Sequence, residues 1–221
     1  MQTSKISAVI FDLWNTLVPM TNQVKQQAFK ETSRALGFDP KVLEEPWKET
    51  RSRRETSNLS EYLYWLRREL NSNWSDENIL KAMRVRKRIH GSAFQTPYID
   101  AGNVLKTLKV HGFRTAIVSN CSSDVREMIS SSILEPLIDV VVLSSDIGIM
   151  KPDVRIYIHA ASELGVPCSQ CVYVGDGNDN ELEGAAKAGM HPILIDRGDG
   201  RRWNGTHVKT LSAVLKEVGV N

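Results

Sequence analysis

The stretch Val9–Val18, VIFDLWNTLV, decides the fold. Three apolar residues run into Asp12, and no helical period interrupts them. A short continuous Val/Ile/Leu/Phe run bounded by polar residues reads as a strand buried on both faces, which belongs in a parallel sheet. An aspartate at the end of such a strand stands where open α/β sheets place their functional groups. Trp14 follows two residues later, and then Asn15 and Thr16.

Similar runs recur downstream at Thr115–Ser119, Val140–Leu143, Cys171–Val174 and Pro192–Ile195, and the first strand extends back to Ile6. Helical patterns separate them at Gly102–His111, Ser123–Ser132, Asp153–Leu164 and Asn180–Ala188. This alternation predicts an α/β fold with right-handed crossovers. Gly112, Gly165 and Gly189 each follow a helical stretch, where a left-handed residue ends a helix.

The segment between Val18 and Tyr98 breaks the rhythm and reads as all-helical. Helices are expected at Gln23–Leu36 and Lys41–Arg54. A third follows Asn58-x-x-Glu61, a capping-box pattern before Leu59, Leu63, Leu66 and Leu70 on one face. Ser75 caps a fourth, with Asp76 and Glu77 in its first turn and Lys87-Arg88 in its last, before Gly91. Inserted after the first strand, this segment is expected to sit over the carboxyl ends of the strands. The domains are therefore drawn as residues 1–17 and 99–221 for the core and 18–98 for the insert.

Composition sets outer bounds. The chain has 221 residues, 41% of them hydrophobic and 24% charged, as in ordinary globular proteins. A net charge of +2 gives no argument for nucleic acid or membrane partners. No run reaches the ~20 apolar residues of a membrane span, and MQTSKISAVIF lacks the apolar run of a signal peptide. With Cys 3, a disulfide framework is not expected, and Cys168-x-x-Cys171 lacks the further ligands of a zinc site. A cytoplasmic location is expected. The insert is the basic part of the chain, and its charge, including Arg51, Arg53 and Arg54, is expected to be solvated.

Four loops after strands carry the chemistry: Asp12; Ser119 and Asn120 in AIVSNC; Lys151 in DIGIMKPDVRIY; Asp176, with Glu181 five residues on, in VYVGDGNDNELEGAAKAGM. A carboxylate such as Asp12 can attack an electrophile and form a covalent intermediate. Asp12 and Asp176 can share Mg²⁺, a hard cation that takes oxygen ligands. Ser119 and Lys151 can hold the anionic oxygens of a transferred group. Thr16 can orient Asp12 by hydrogen bonding. Asn120 is either a site contact or a turn residue, and Trp14 either a wall of the pocket or a stacking contact for substrate.

Taken in order, Asp-x-x-x-Thr, Ser-Asn, Lys-Pro and Gly-Asp followed by Asn-Glu resemble the haloacid dehalogenase (HAD) superfamily, with a helical cap inserted after the first motif. The resemblance covers Ala8 to about Ile195. It implies a Rossmann-like parallel sheet with core strand order 5-4-1-2-3, Asp12 as nucleophile and catalysis through an aspartyl ester. It also implies Mg²⁺ held by Asp12, Asp176, the backbone carbonyl of Trp14, and Glu181 directly or through water.

Two departures pull in opposite directions. HAD phosphatases usually carry a second aspartate, the general acid, where this chain has Trp14, and an indole N–H has no useful acidity. The 2-haloacid dehalogenases also lack that aspartate, because halide needs no proton. Yet they have serine in place of a metal-binding aspartate, whereas this chain has Asp176. They also use a cap arginine where GFDPKVLEEP offers only Lys41. Asn178 matches a dehalogenase asparagine among other polar residues, and Tyr157 occurs in both branches. Phosphonate cleavage, with a cap lysine such as Lys25 or Lys30, is a further precedent.

The expectation is an Mg²⁺-dependent phosphatase for a small phosphorylated metabolite. The alternatives are a dehalogenase-like hydrolase or a catalytically weak HAD-fold binding protein. Substrate identity and the choice between monomer and homodimer stay open.

Overall fold

The computed structural model describes residues 5–198 and 200–220. Residues 1–4, at the head of the expected core and of the stretch read for a signal peptide, lie outside them, as do 199 and 221. No described helix is long and apolar enough to cross a membrane.

Five parallel strands form where expected: β1 (Ala8–Phe11), β2 (Arg114–Ser119), β3 (Val140–Leu143), β4 (Cys171–Gly175) and β5 (His191–Ile195). A sixth, β6 (Thr206–Val208), pairs parallel with β5, so the sheet runs β3-β2-β1-β4-β5-β6. Read from β5, the core order is the anticipated 5-4-1-2-3, with β6 added at the edge. β6 escaped the sequence reading because three residues of THV carry no period.

Strand alternation explains the continuous apolar runs. Val9 and Phe11 of β1 face one layer with Ile117, Val172 and Val174. Ala8 and Ile10 face the other with Ala116, Val118 and Tyr173. Helices α6 (Ala101–Val110), α7 (Val125–Ser130) and α11 (Leu211–Glu217) cover the first face; α9 (Val154–Glu163) and α10 (Glu181–Lys187) cover the second. A short helix, α8 (Ser144–Ile147), follows β3 and ends at Gly148 in left-handed geometry. Gly112, Gly165 and Gly189 take φ of 79°, 69° and 87°, as their positions after helices require.

Between β1 and α6 the chain forms α1 (Asn22–Ala35), α2 (Pro40–Glu49), α3 (Arg51–Glu55), α4 (Leu59–Glu69) and α5 (Asp76–Ala93). They bury a separate apolar cluster that includes Leu43, Trp47, Leu59, Tyr62, Leu63, Leu66, Trp74 and Ile79. The outgoing and returning chains meet where the Tyr98 N–H donates to the Leu17 carbonyl at 3.0 Å.

Three local expectations are corrected. The helix drawn over Lys41–Arg54 is two helices, because Thr50 leaves helical geometry and its hydroxyl donates to the Pro46 carbonyl at 2.6 Å. Asn58 caps α4 by accepting from the Ser60 N–H rather than by a reciprocal box with Glu61. α5 does begin in a capping box, of Ser75 with Asn78, but it continues through Gly91 to Ala93. Ile89, His90 and Ala93 are buried there, and that packing outweighs the glycine.

Candidate active site

Asp12, Lys151, Asp176 and Glu181 converge at the carboxyl ends of the strands, each residue at most 5% exposed. Asp12 follows β1, pinned by its N–H to the Val174 carbonyl at 2.8 Å. Asp176 follows the neighbouring β4, and Glu181 opens α10. Lys151 reaches in from the loop before α9. Its Nζ lies 2.6 Å from Asp12 Oδ1, 2.5 Å from Glu181 Oε2 and 2.9 Å from the Tyr173 hydroxyl.

Each acid is held by donors. Thr16 Oγ1 donates to Asp12 Oδ2 at 3.3 Å. Asp176 receives the Asn178 N–H at 2.9 Å, the Asn178 amide at 2.7 Å and the Asn15 amide at 3.2 Å. Arg201 pairs with Asp176 at 3.0 Å. Glu181 receives the Tyr173 hydroxyl at 2.7 Å and the Gly177 N–H at 2.9 Å. Its backbone carbonyl accepts from Tyr157 at 2.8 Å. Gly175 makes room for this carboxylate, since a Cβ there would collide with Glu181 Oε1.

Lys151 bridges two of the three buried carboxylates, Asp12 and Glu181, while Arg201 pairs with the third, and the electrostatics reflect it. Burial raises the Asp12 pKa to about 8; Lys151 pulls against that, while Glu181 and Asp176 add to it. Burial also raises Glu181, with Lys151 opposing. For Lys151 burial works against the charge, but Asp12 and Glu181 outweigh it and hold the pKa above the usual lysine range. Oxygens of Asp12, Asp176 and Glu181 all lie within 4.8 Å of one another. An all-oxygen set with surplus negative charge fits a hard divalent cation.

These groups open into a cavity of about 300 Å³ whose other wall is helical. Trp14, Asn120 and Asn178 line it on the sheet side; Lys25, Phe29, Trp47, Arg51, Arg54, Arg86 and His90 line it on the helical side. The Trp14 ring packs edge-on against Phe94 and His90, with centroids 5.4 and 6.1 Å away. Asn120 is a brace: it donates to the Lys151 carbonyl at 3.0 Å and accepts the Lys151 N–H at 2.8 Å. Ser119 is fully buried, does not line the cavity, and its Oγ has no hydrogen-bond partner among the described residues.

The expectation that Arg51, Arg53 and Arg54 are solvated holds for Arg53, which is exposed. It fails for Arg54; Arg51 is exposed as expected, although its guanidinium is paired. Arg54 is 6% exposed. Arg51 makes a two-pronged ion pair with Asp179 at 2.8 and 2.7 Å, and Asn120 also donates to Asp179, at 2.9 Å. Arg51 thus ties α3 to the loop that carries Asp176. Burial raises the Asp179 pKa, but the Arg51 and Asn120 hydrogen bonds outweigh it and hold the carboxyl low. Lys41 is exposed, and of the two lysines on α1 only Lys25 lines the cavity.

The reading of motifs missed Asn15, Tyr173, Asp179, Arg86 and His90, and expected Arg54 in solvent. Asn15 had a signal, since it sits inside the first motif. The arginines and His90 had none, because helical phase alone does not tell which polar residues face a cavity.

Comparison with known proteins supplies the family. The family model for haloacid dehalogenase-like hydrolases matches residues 6–189. A glyceraldehyde 3-phosphate phosphatase of Methanopyrus kandleri is 30% identical over 200 residues, covering 87% of this chain and 85% of that protein. An (S)-2-haloacid dehalogenase 4A of Burkholderia cepacia is 35% identical over 101 residues, 45% of this chain and 43% of that one. The crystal structure of a HAD phosphatase from Thermococcus onnurineus superposes with a TM-score of 0.70 at 22% identity, covering 97% of this chain and 98% of that chain. The chain belongs to the haloacid dehalogenase-like hydrolases.

Proposed function

We propose that this hydrolase is an Mg²⁺-dependent phosphatase of small phosphorylated metabolites, working through an aspartyl-phosphate on Asp12. The observation that carries the reading is the cluster of three buried carboxylates beside Lys151 and Arg201, which holds more negative charge than the two cations balance. The relative named as a glyceraldehyde 3-phosphate phosphatase, similar over most of both chains, supports the same class.

Asp12, Asp176 and Glu181, with the Trp14 carbonyl, would hold the cation. When bound, it supplies positive charge that favours ionised Asp12 and tolerates an anionic substrate beside it. The Asp12 carboxylate forms a bond to phosphorus, and the bond to the leaving oxygen breaks with its electron pair. Lys151 balances charge on the transferring group, and Asn120 fixes the lysine's backbone. Ser119, buried at the end of β2 outside the cavity lining, is assigned no contact with that group. Water then attacks phosphorus and returns free Asp12 and inorganic phosphate. Trp14 supplies no proton in either step, so good leaving groups are favoured. The helices over residues 18–98 act as a cap that shapes the leaving-group pocket.

Hydrolysis of p-nitrophenyl phosphate tests this, because its phenolate departs without a proton. Turnover is expected with Mg²⁺, lost with EDTA, and lower by about 10⁴-fold or more in Asp12→Asn. Absence of turnover in wild type, or full activity in Asp12→Asn, contradicts the reading. Trp14 favours a second reading, dehalogenation, for which metal-independent halide release from a 2-haloacid is the signature. Asp176 and the exposed Lys41, which does not line the cavity, weigh against it.

A further inference from the structure

The helical wall contains charge that nothing in the proposed reaction uses. Arg54 and Arg86 stack on the same indole, with guanidinium carbons 4.4 and 5.7 Å from the Trp47 ring centroid. Both line the cavity, and their side chains are only 8% and 11% exposed. Buried guanidinium groups ordinarily sit in close two-pronged pairs with carboxylates. These do not.

Arg54 donates to the Trp47 carbonyl at 2.6 Å and interacts with the Tyr62 side chain, but its carboxylate neighbour Glu55 is 3.7 Å away. Glu55 is already bound through both oxygens by Arg51 Nε, each at 3.0 Å. Arg86 donates to the Ser122 hydroxyl at 3.2 Å, and its Nε stands 3.6 Å from Asp124. That Nε has no hydrogen-bond partner among the described residues, and neither has Nδ1 of His90, a cavity-lining side chain 7% exposed. The like charges also act on each other: after burial itself, Arg86 is the main cause holding the Arg54 pKa below the usual range.

Two loosely paired arginines and an imidazole with an unused nitrogen, facing one cavity, form a receptor for an anion. We infer that Arg54, Arg86 and His90 form a second anion subsite, which selects substrates bearing a carboxylate or second phosphate in addition to the phosphoryl group transferred to Asp12. This rests on the phosphatase reading for the first anion, while the second is assigned by the helical wall alone. A planar guanidinium matches both kinds of oxyanion in two-pronged fashion, so the shared chemistry is a distal oxyanion on a short carbon chain.

The test compares 3-phosphoglycerate with glycerol 3-phosphate, which differ by a carboxylate, and adds a three-carbon bisphosphate. For wild type, kcat/KM is expected to be at least about tenfold higher for the two substrates with a second anion. In Arg86→Met that ratio falls to about one, chiefly through KM, and Arg86→Lys, which keeps charge without the fork, lies between. Arg84→Met, an exposed change on the same helix, keeps the wild-type ratio and controls for helix damage. Carboxylate preference without bisphosphate preference, or the reverse, identifies which oxyanion the subsite takes. Equal kcat/KM for substrates with and without the second anion, or an unchanged ratio in Arg86→Met, overturns the inference.

Calorimetric titration of Asp12→Asn with 3-phosphoglycerate and with glycerol 3-phosphate gives an arm independent of turnover. Tighter binding of the former, abolished by adding Arg86→Met, supports the subsite even if no phosphoester is hydrolysed. Equal binding of the two removes the subsite even if p-nitrophenyl phosphate is turned over.

Discussion

On the sheet side of the cavity one lysine meets three oxygens at 2.5, 2.6 and 2.9 Å. On the helical side two arginines stand 3.6 and 3.7 Å from their carboxylate neighbours. Both walls are buried and both are charged, but only the first is closed upon itself. The difference separates two tasks. Groups that must meet a reacting atom in fixed geometry are locked by one another, as preorganised electrostatic stabilisation requires. Groups that recognise a variable part of a ligand keep hydrogen-bonding capacity in reserve.

The sharpest way to break this contrast is to remove the lysine. Lys151→Met leaves buried carboxylates without their counter-charge, a loss of about 3–5 kcal/mol in stability, and lowers kcat by about 10²–10³-fold. Adding Glu181→Gln is expected to recover much of the melting temperature and none of the activity. Thermal unfolding and p-nitrophenyl phosphate kinetics read the two separately. Recovery of both would mean that the lysine serves the fold alone.

A smaller effect is expected at the joint between the walls. The Arg51–Asp179 pair is partly exposed, with side chains 44% and 24% accessible. Its contribution to stability is therefore discounted to under about 1 kcal/mol. Arg51→Ala is expected to raise KM by up to about fivefold with kcat nearly intact, since Asp179 still receives Asn120. A change confined to kcat would place Arg51 with the sheet-side machinery instead.

An effect of a different kind, confined to acid pH, is expected on the helical side. Burial, then Arg86, Arg54 and Lys25, hold His90 well below 6.5. The unfolded chain therefore binds a proton that the folded chain refuses, so His90 costs stability as pH falls below about 6.5. The cost grows by at most about 1.4 kcal/mol per pH unit. His90→Phe is expected to flatten the fall in melting temperature between about pH 7 and 5. Parallel profiles for the two proteins would show that the imidazole titrates freely.

The same contrast governs what the chain discloses before folding. Asp12, Asn120 and Asp176 each stand one step beyond a strand, and strands announce themselves by unbroken apolar runs. These residues and the parallel sheet were therefore legible, whereas Lys151, in the loop between α8 and α9, and the core strand order came from the family resemblance. Asp179 was not legible, because it stands in left-handed geometry (φ 56°) inside a polar run where every residue is plausible. Arg54 and Arg86 were hidden more deeply. Their burial depends on how α2, α3 and α5 pack on Trp47, and helical periodicity does not encode that. β6 and α11 were missed for want of length. Gly91 misled because a buried stripe carried the helix past it.

The central claim is that Asp12 becomes phosphorylated and that Trp14, lacking an acidic proton, does nothing to activate the water that frees it. Rapid mixing of enzyme with excess p-nitrophenyl phosphate and Mg²⁺ tests both at once. The account predicts a burst of p-nitrophenolate of about one equivalent per Asp12 followed by slower turnover, with the phosphoryl mass recovered on the peptide containing Asp12 after acid quench. Linear release from the first turnover, with no phosphoryl group on that peptide, would contradict it.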